Sequence, residues 1–166
     1  MVVLLLVSPL LSACGSGTST GGVSDTPPAL TKPPPWQLTS PSTAVVSYLY
    51  WISFAYRVSD SDMASQTFTP FEEVRVNSYV HYNDQEGRAI DQKLTDLNIR
   101  TVATKDGTAT VTAHEEWTYR YISLKTGKYA GPGHEAAYDS TYTVVRDPEG
   151  LWRVDRVEAS ATVDVK

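Results

Sequence analysis

Cysteine, histidine and positive charge are all scarce in this sequence of 166 residues. A single cysteine cannot form an internal disulfide or a metal site with several cysteine ligands, and the three histidines lie far apart along the chain. Lys and Arg number 14 against 19 Asp and Glu, whereas nucleic-acid-binding proteins usually carry a basic excess. The sequence has no Gly-rich phosphate loop, no CxxC pair and no recognisable Ser-His-Asp order. We therefore expect no nucleic-acid partner, no metal site and no cofactor.

Aromatic side chains are plentiful, at 10% of the chain, with 10 Tyr, 4 Trp and 3 Phe. They supply enough bulky apolar surface for a hydrophobic core and argue against a fully disordered chain. The length fits one folded domain, because single domains usually span about 100–200 residues. A second catalytic domain is not expected.

The first segment, residues 1–13, is an apolar run that ends in small residues directly before Cys14. Because a bilayer span needs about 20 apolar residues, we interpret this segment as an export signal that is removed. The sequence Leu11-Ser12-Ala13-Cys14 resembles the lipobox of bacterial lipoproteins, in which the cysteine becomes the first mature residue and carries lipid. The resemblance implies a lipid anchor at Cys14 on the extracytoplasmic side of the cell membrane. One departure is that no Lys or Arg precedes Lys32, whereas such signals normally begin with basic residues.

Residues 14–41 are rich in Gly, Ser, Thr and Pro, and only Asp25 and Lys32 are charged. Such a composition cannot bury enough apolar surface to offset the entropy of ordering. It predicts a flexible linker that stiffens towards polyproline at its end, followed by a folded domain over residues 42–166. Trp36 is a large aromatic residue within this polar segment, and we expect it on the outside of the domain or at the membrane interface.

Three helices are predicted in the first half of the domain. Val45, Leu49, Ile52 and Tyr56 recur at helical spacing and predict a buried helix from about residue 41 to residue 57. Aspartates at 60 and 62 can cap a short second helix that reaches about residue 68. The segment Thr69-Pro70-Phe71-Glu72 has the form of a capping box, which predicts a third helix from Pro70 to about residue 82.

After about residue 90 the hydrophobic period changes to two, which is typical of strands. Alternation over residues 97–103 leads through the turn at 105–108 into a second strand that continues to about residue 124. A long loop follows, and further strands are predicted at 135–146 and 151–157. Helices followed by an antiparallel meander predict an α+β domain with the helices packed on one face of a curved sheet.

This order of elements, which ends in Gly150-Leu151-Trp152-Arg153-Val154, resembles the nuclear transport factor 2-like superfamily over roughly residues 42–160. The resemblance implies a cone in which the first helix and the inner sheet face enclose a pocket. The strand Glu116-Trp117-Thr118-Tyr119 is similar to polar, non-enzymatic members at the outer ends of envelope proteins and in the intermembrane domain of plastid division proteins. The superfamily also contains ketosteroid isomerases and polyketide cyclases, so the fold alone does not establish the function.

Glu115 is the exceptional residue on the inner face of the second predicted strand, between Ala113 and Trp117. A carboxyl group among apolar neighbours is harder to ionise, and this property suits a general acid or base at neutral pH. Glu115 is therefore the candidate catalytic residue, with Tyr142 as its candidate partner. Two other interpretations stay open: a solvated position at the pocket rim, or an ion pair with Arg153 or another cation.

Aromatic side chains with polar tips suit a pocket for a flat apolar ligand, and they suit an ordinary core equally well. The candidate ligand-binding residues are Tyr48, Trp51, Tyr79, Trp117, Tyr119 and Tyr138. On the outer face, His114 and Glu116 lie two residues apart, but no third metal ligand is evident in the sequence.

Three functional hypotheses follow. The first is a lipid-anchored envelope protein whose single domain binds a small apolar ligand or a protein partner without catalysis. The second is an enzyme of the isomerase or cyclase type that uses Glu115 and a pocket tyrosine. The third is a homodimeric scaffold that uses the outer sheet face around Thr112, His114, Thr118 and Arg120.

Overall fold

The computed structural model describes residues 24–162 of the chain. The predicted signal segment, the Cys14 lipidation site and the first part of the predicted linker lie outside the described residues. Helix α1 spans Pro41–Val58, a short 3-10 helix spans Ser61–Thr67 and helix α2 spans Pro70–Gln85. Four strands follow along the chain: β1 Arg88–Lys105, β2 Thr108–Ser123, β3 Tyr129–Arg146 and β4 Trp152–Ala161.

The four strands form one antiparallel sheet in the order β1-β2-β3-β4. Its register shifts between Leu94 and Asp96 and between Tyr119 and Tyr121, among other places. An extra residue at such a shift bends a strand and increases its twist, so the sheet curves around the helices. The inner face of β2 carries the buried side chains predicted from the alternation, including Val111, Ala113 and Glu115.

Helix α1 begins at Pro41, as predicted. Ser40 and Thr43 cap it reciprocally through their side chains, and proline is favourable at the first helical position because its missing N–H needs no partner there. The helix ends at Val58, and the capping residue that follows it, Ser59, adopts a left-handed conformation with φ of 54°. Its buried residues pack against the sheet, where Val45, Val111, Val144 and Val154 are completely buried.

Helix α2 also begins where it is predicted, at Pro70, but the predicted capping box is wrong. The Thr69 side chain makes no cap hydrogen bond and instead donates to Asp155 Oδ1 at 2.7 Å. Glu72 is 2% exposed, and its carboxylate accepts hydrogen bonds from Tyr48 and Arg75 rather than from the backbone N–H of Thr69. The side chains of Thr69 and Glu72, whose spacing matches a capping box, thus make contacts with other side chains of the domain instead.

Residues 24–40, which we call the N-terminal arm, extend along the domain surface. The backbone N–H of Trp152 donates to the carbonyl of Leu38, and that of Gln37 donates to Ser47 Oγ at 2.8 Å. The Trp36 ring lies against Trp51, with ring centroids 5.2 Å apart. This part of the predicted linker is therefore bound to the domain. Among residues 24–162, no helix has both the length and the apolar character that crossing a membrane requires.

Candidate functional site

A cavity of about 570 Å³ lies between the two helices and the inner face of the sheet. Tyr79 and Tyr82 stand at its rim and are exposed, so the cavity opens to solvent. Tyrosine dominates its lining: Tyr48, Tyr56, Tyr79, Tyr82, Tyr119, Tyr121, Tyr138 and Tyr142, together with Trp117. The two charged residues in the lining are Arg75 and Glu115.

Glu115 lies in the wall of this cavity and is 4% exposed. The Tyr142 hydroxyl donates to its Oε1, and Trp117 Nε1 donates to its Oε2 at 2.9 Å. Arg153 does not reach Glu115, because its guanidinium pairs with Asp147 at 2.9 Å. The structure thus brings the two candidate catalytic residues together and supports neither the solvated position nor the pairing with Arg153.

Tyr142 is almost completely buried. Burial and, next, the adjacent charge of Glu115 raise the pKa of its hydroxyl well above the usual value, so Tyr142 is neutral and donates its proton to Glu115. The Ser140 hydroxyl lies beside that of Tyr142 and lowers its pKa by a smaller amount.

A second carboxylate and tyrosine pair lies next to the first. The Tyr48 hydroxyl donates to Glu72 Oε1, Arg75 Nε donates to the same oxygen at 2.8 Å, and Arg75 Nη2 donates to the Tyr48 oxygen. The rings of Tyr48 and Tyr142 meet edge to face at 6.2 Å, so the two pairs are in contact. Burial raises the pKa of Tyr48 well above its usual value.

Glu72 and Arg75 were not among the candidates from the sequence. Their three-residue spacing on one helix is the only local sign of the pair. Tyr48, which buries Glu72, lies 24 residues away, and no pattern in the sequence joins α1 to α2 at this point.

Five of the six candidate ligand-binding residues line the cavity: Tyr48, Tyr79, Trp117, Tyr119 and Tyr138. Trp51 does not. It lies on another side of α1, where its Nε1 donates to the carbonyl of Pro34 at 3.1 Å and the N-terminal arm covers its ring. Burial raises the pKa of both Tyr79 and Tyr119, with smaller contributions from neighbouring tyrosines.

The outer sheet face carries a polar cluster around His114. Its Nδ1 lies 2.8 Å from Asp139 Oδ1, and Arg100 pairs with the same carboxylate at 3.0 Å. The hydrogen bond with His114 lowers the pKa of Asp139. Within the described part of the chain, no group of three or more His, Cys, Asp or Glu residues could hold a metal ion. The homodimer that would use this face stays a prediction.

No family model and no curated protein matches the chain. Among solved structures, it is similar to the intermembrane space region of the chloroplast protein ARC6, at 17% identity and a TM-score of 0.64, over 78% of this chain and 100% of that chain. A conserved protein from Planctomyces limnophilus is similar at 16% identity and a TM-score of 0.52, over 72% of this chain and 96% of that chain.

A nuclear transport factor 2-like superfamily protein from Salmonella enterica is similar at 11% identity and a TM-score of 0.51, over 75% of this chain and 95% of that chain. At identities this low, the likeness shows the fold alone. The predicted α+β fold, with helices packed on a curved antiparallel sheet in a nuclear transport factor 2-like cone, is confirmed.

Proposed function

We propose that this chain uses its nuclear transport factor 2-like cone to bind a small, flat, largely apolar molecule without catalysis, while lipid on Cys14 holds it on the extracytoplasmic side of a cell membrane. The observation that supports binding is the open, tyrosine-lined cavity of about 570 Å³. Small-molecule sites usually measure about 300–1,000 Å³ and combine apolar walls with a few convergent polar groups.

The hydrogen bonds of Glu115 fix the position of its carboxylate in the cavity. Its two oxygens accept one hydrogen bond from Tyr142 and one from Trp117, and each oxygen keeps a second lone pair for a ligand. These donors hold the carboxylate in one orientation, which suits a fixed polar anchor for a ligand.

Calorimetric titration of the full chain carrying Cys14→Ser, with 2-naphthylmethanol as a flat neutral probe, tests the binding proposal. We expect a Kd below about 1 mM for a ligand of this size. Ala136→Leu should abolish binding, because Ala136 lines the cavity. The matched control is Ala137→Leu, whose side chain is also buried but points to the other sheet face and should leave binding unchanged. Equal affinities of both variants would contradict the proposal.

The anchor is tested separately in cells grown with radiolabelled palmitate. Cys14 is the only cysteine, so Cys14→Ala should abolish labelling and release the protein from the membrane fraction. Labelling that survives this change would overturn the anchoring part of the proposal and leave the binding part standing.

Proton transfer of the isomerase or cyclase type is the second candidate function. It is favoured by one observation, the hydrogen bond from Tyr142 to Glu115 inside a cavity that a substrate could enter. The test is deuterium exchange at the carbon next to the carbonyl of 2-tetralone, followed by NMR. Catalysed exchange that disappears in Glu115→Gln would support an enzyme, whereas a rate equal to that in buffer for wild type and variant would exclude this activity.

A further inference from the structure

Three aromatic side chains surround the Glu115 carboxylate. Trp117 follows it on the same face of β2 and donates to it at 2.9 Å. Tyr138 is its direct cross-strand partner on β3, and facing side chains in such a pair are neighbours. Tyr142 lies further along the same face of β3 and donates to the other oxygen. The two oxygens therefore both act as acceptors within a ring of aromatic groups.

The charge of this carboxylate has no partner in the cavity. Among the ion pairs of residues 24–162, none includes Glu115. Arg75, the one cationic side chain in the lining, is paired with Glu72, so its charge is compensated locally. The cavity thus presents one uncompensated negative charge.

The tyrosine rings of the lining are also able to attract cations. The guanidinium of Arg88 lies 4.0 Å from the centroid of the Tyr121 ring and 5.8 Å from that of Tyr82. Both rings line the cavity, so the chain itself places a cation against its outer rings. The faces of aromatic rings carry partial negative charge, and rings grouped around a carboxylate form a favourable site for an organic ammonium group.

We propose that the ligand of this cavity is an organic cation, with an ammonium group beside Glu115 among the rings of Trp117, Tyr138 and Tyr142 and a flat apolar body extending towards the mouth. This inference rests on the proposed binding function and adds the charge of the ligand to it. Beside Glu115, an anionic ligand would meet the charge of that carboxylate, and the one lining cation, Arg75, is already paired with Glu72.

Three probes with one ring system test the charge. They are 2-naphthylmethylammonium, 2-naphthylmethanol and 2-naphthoate, titrated by calorimetry into the full chain carrying Cys14→Ser. We expect the cation to bind at least about tenfold more tightly than the alcohol, from the ion pair and the cation–π contacts together. The naphthoate should bind more weakly than the alcohol.

Glu115→Gln should remove the preference for the cation, so that the cation and the alcohol bind with affinities within about twofold of each other. The matched control is Glu116→Gln on the exposed outer face of the same strand, which should keep the preference. Should Glu115→Gln fail to fold, Tyr138→Leu provides the second test, because Tyr138 is only partly buried. Tyr138→Leu should lower the affinity for the cation more than the affinity for the alcohol. Tyr138→Phe, which retains the aromatic ring, should keep the preference for the cation.

The outcomes separate this inference from the binding proposal. If the cation and the alcohol bind with equal affinity, and Ala136→Leu abolishes binding of both, the cavity is a binding site and the inference of a cationic ligand is wrong. A preference for naphthoate would also overturn the inference. If none of the three probes binds, or if Ala136→Leu leaves their affinities unchanged, the binding proposal itself fails.

Discussion

Replacing Glu72 by alanine should destabilise the domain far more than its position in the first turn of α2 would imply. The Glu72 side chain is 2% exposed and accepts hydrogen bonds from Tyr48 and Arg75. Tyr48 is 1% exposed. Without the carboxylate, its hydroxyl still accepts from Arg75 Nη2, but its own proton has no acceptor. A buried donor is thereby left unpaired.

The cost can be derived from these contacts. Leaving a buried hydroxyl unsatisfied costs about 1–3 kcal/mol. The Arg75 side chain is half-exposed, so water compensates much of its lost ion pair and the further cost is below about 1 kcal/mol. We therefore expect the loss of these contacts in Glu72→Ala to lower the free energy of unfolding by about 1–4 kcal/mol. For a domain of this size, Tm should fall by about 10 °C.

Urea unfolding followed by tryptophan fluorescence measures the loss, and Glu73→Ala is the matched control. Both glutamates lie in the first turn of α2, where a carboxylate interacts favourably with the helix dipole, a contribution of about 0.3–1 kcal/mol each. The control should therefore lose at most about 1 kcal/mol. Equal losses in the two variants would refute the buried network.

Burial raises the pKa of Tyr48 and Tyr142 above the ordinary value, so the folded state holds these protons more tightly. Their contribution to stability should be constant below about pH 10 and fall as the pH rises further. The tyrosinate absorbance of these two residues should then appear together with loss of structure, and titration of every tyrosine near pH 10 in the intact fold would contradict this. Gly150→Ala should cost about 1–2 kcal/mol by equilibrium unfolding, because Gly150 has φ of +87° and a Cβ would approach an arginine side chain to 3.3 Å. Gly133→Ala, at a position without positive φ, is its control, and equal losses would argue against backbone strain. Trp36→Ala removes a ring contact between the N-terminal arm and α1, so limited proteolysis should cleave the arm faster while the domain stays intact; an unchanged cleavage rate would show that this contact does not hold the arm.

Local signals predicted the helices well and the strand lengths poorly. Helix starts depend on residues close in sequence, and both Pro41 and Pro70 begin helices as expected. The strand period is predicted from about residue 90, with clear alternation over residues 97–103, and β1 begins at Arg88; β3 begins at Tyr129 rather than near residue 135. Alternation is weak in these added residues, and their extended conformation is instead stabilised by ladder hydrogen bonds to β2.

In the candidate site, too, some features follow from the local sequence and others depend on tertiary packing. The period of two was sufficient to predict that Glu115 faces inwards with Trp117, because the alternation of side chains is a property of any strand. From the sequence, Tyr142 is only a candidate partner of Glu115. The pairing of β2 with β3 brings the two side chains together, and the Tyr142 hydroxyl donates to Glu115. Trp51 was assigned to the pocket from its helix, but the N-terminal arm covers it.

The sequence by itself thus determined the order of helices and strands, where α1 and α2 begin and which carboxylate enters the apolar face of β2. Only the tertiary structure decided that the cavity stays open, that Glu72 is buried against Tyr48 and that no cation of residues 24–162 pairs with Glu115. The physical reason is the range of the interactions involved. Capping and alternation act over one to four residues, whereas the partners of a buried charge come from segments that meet only when helices and sheet pack together.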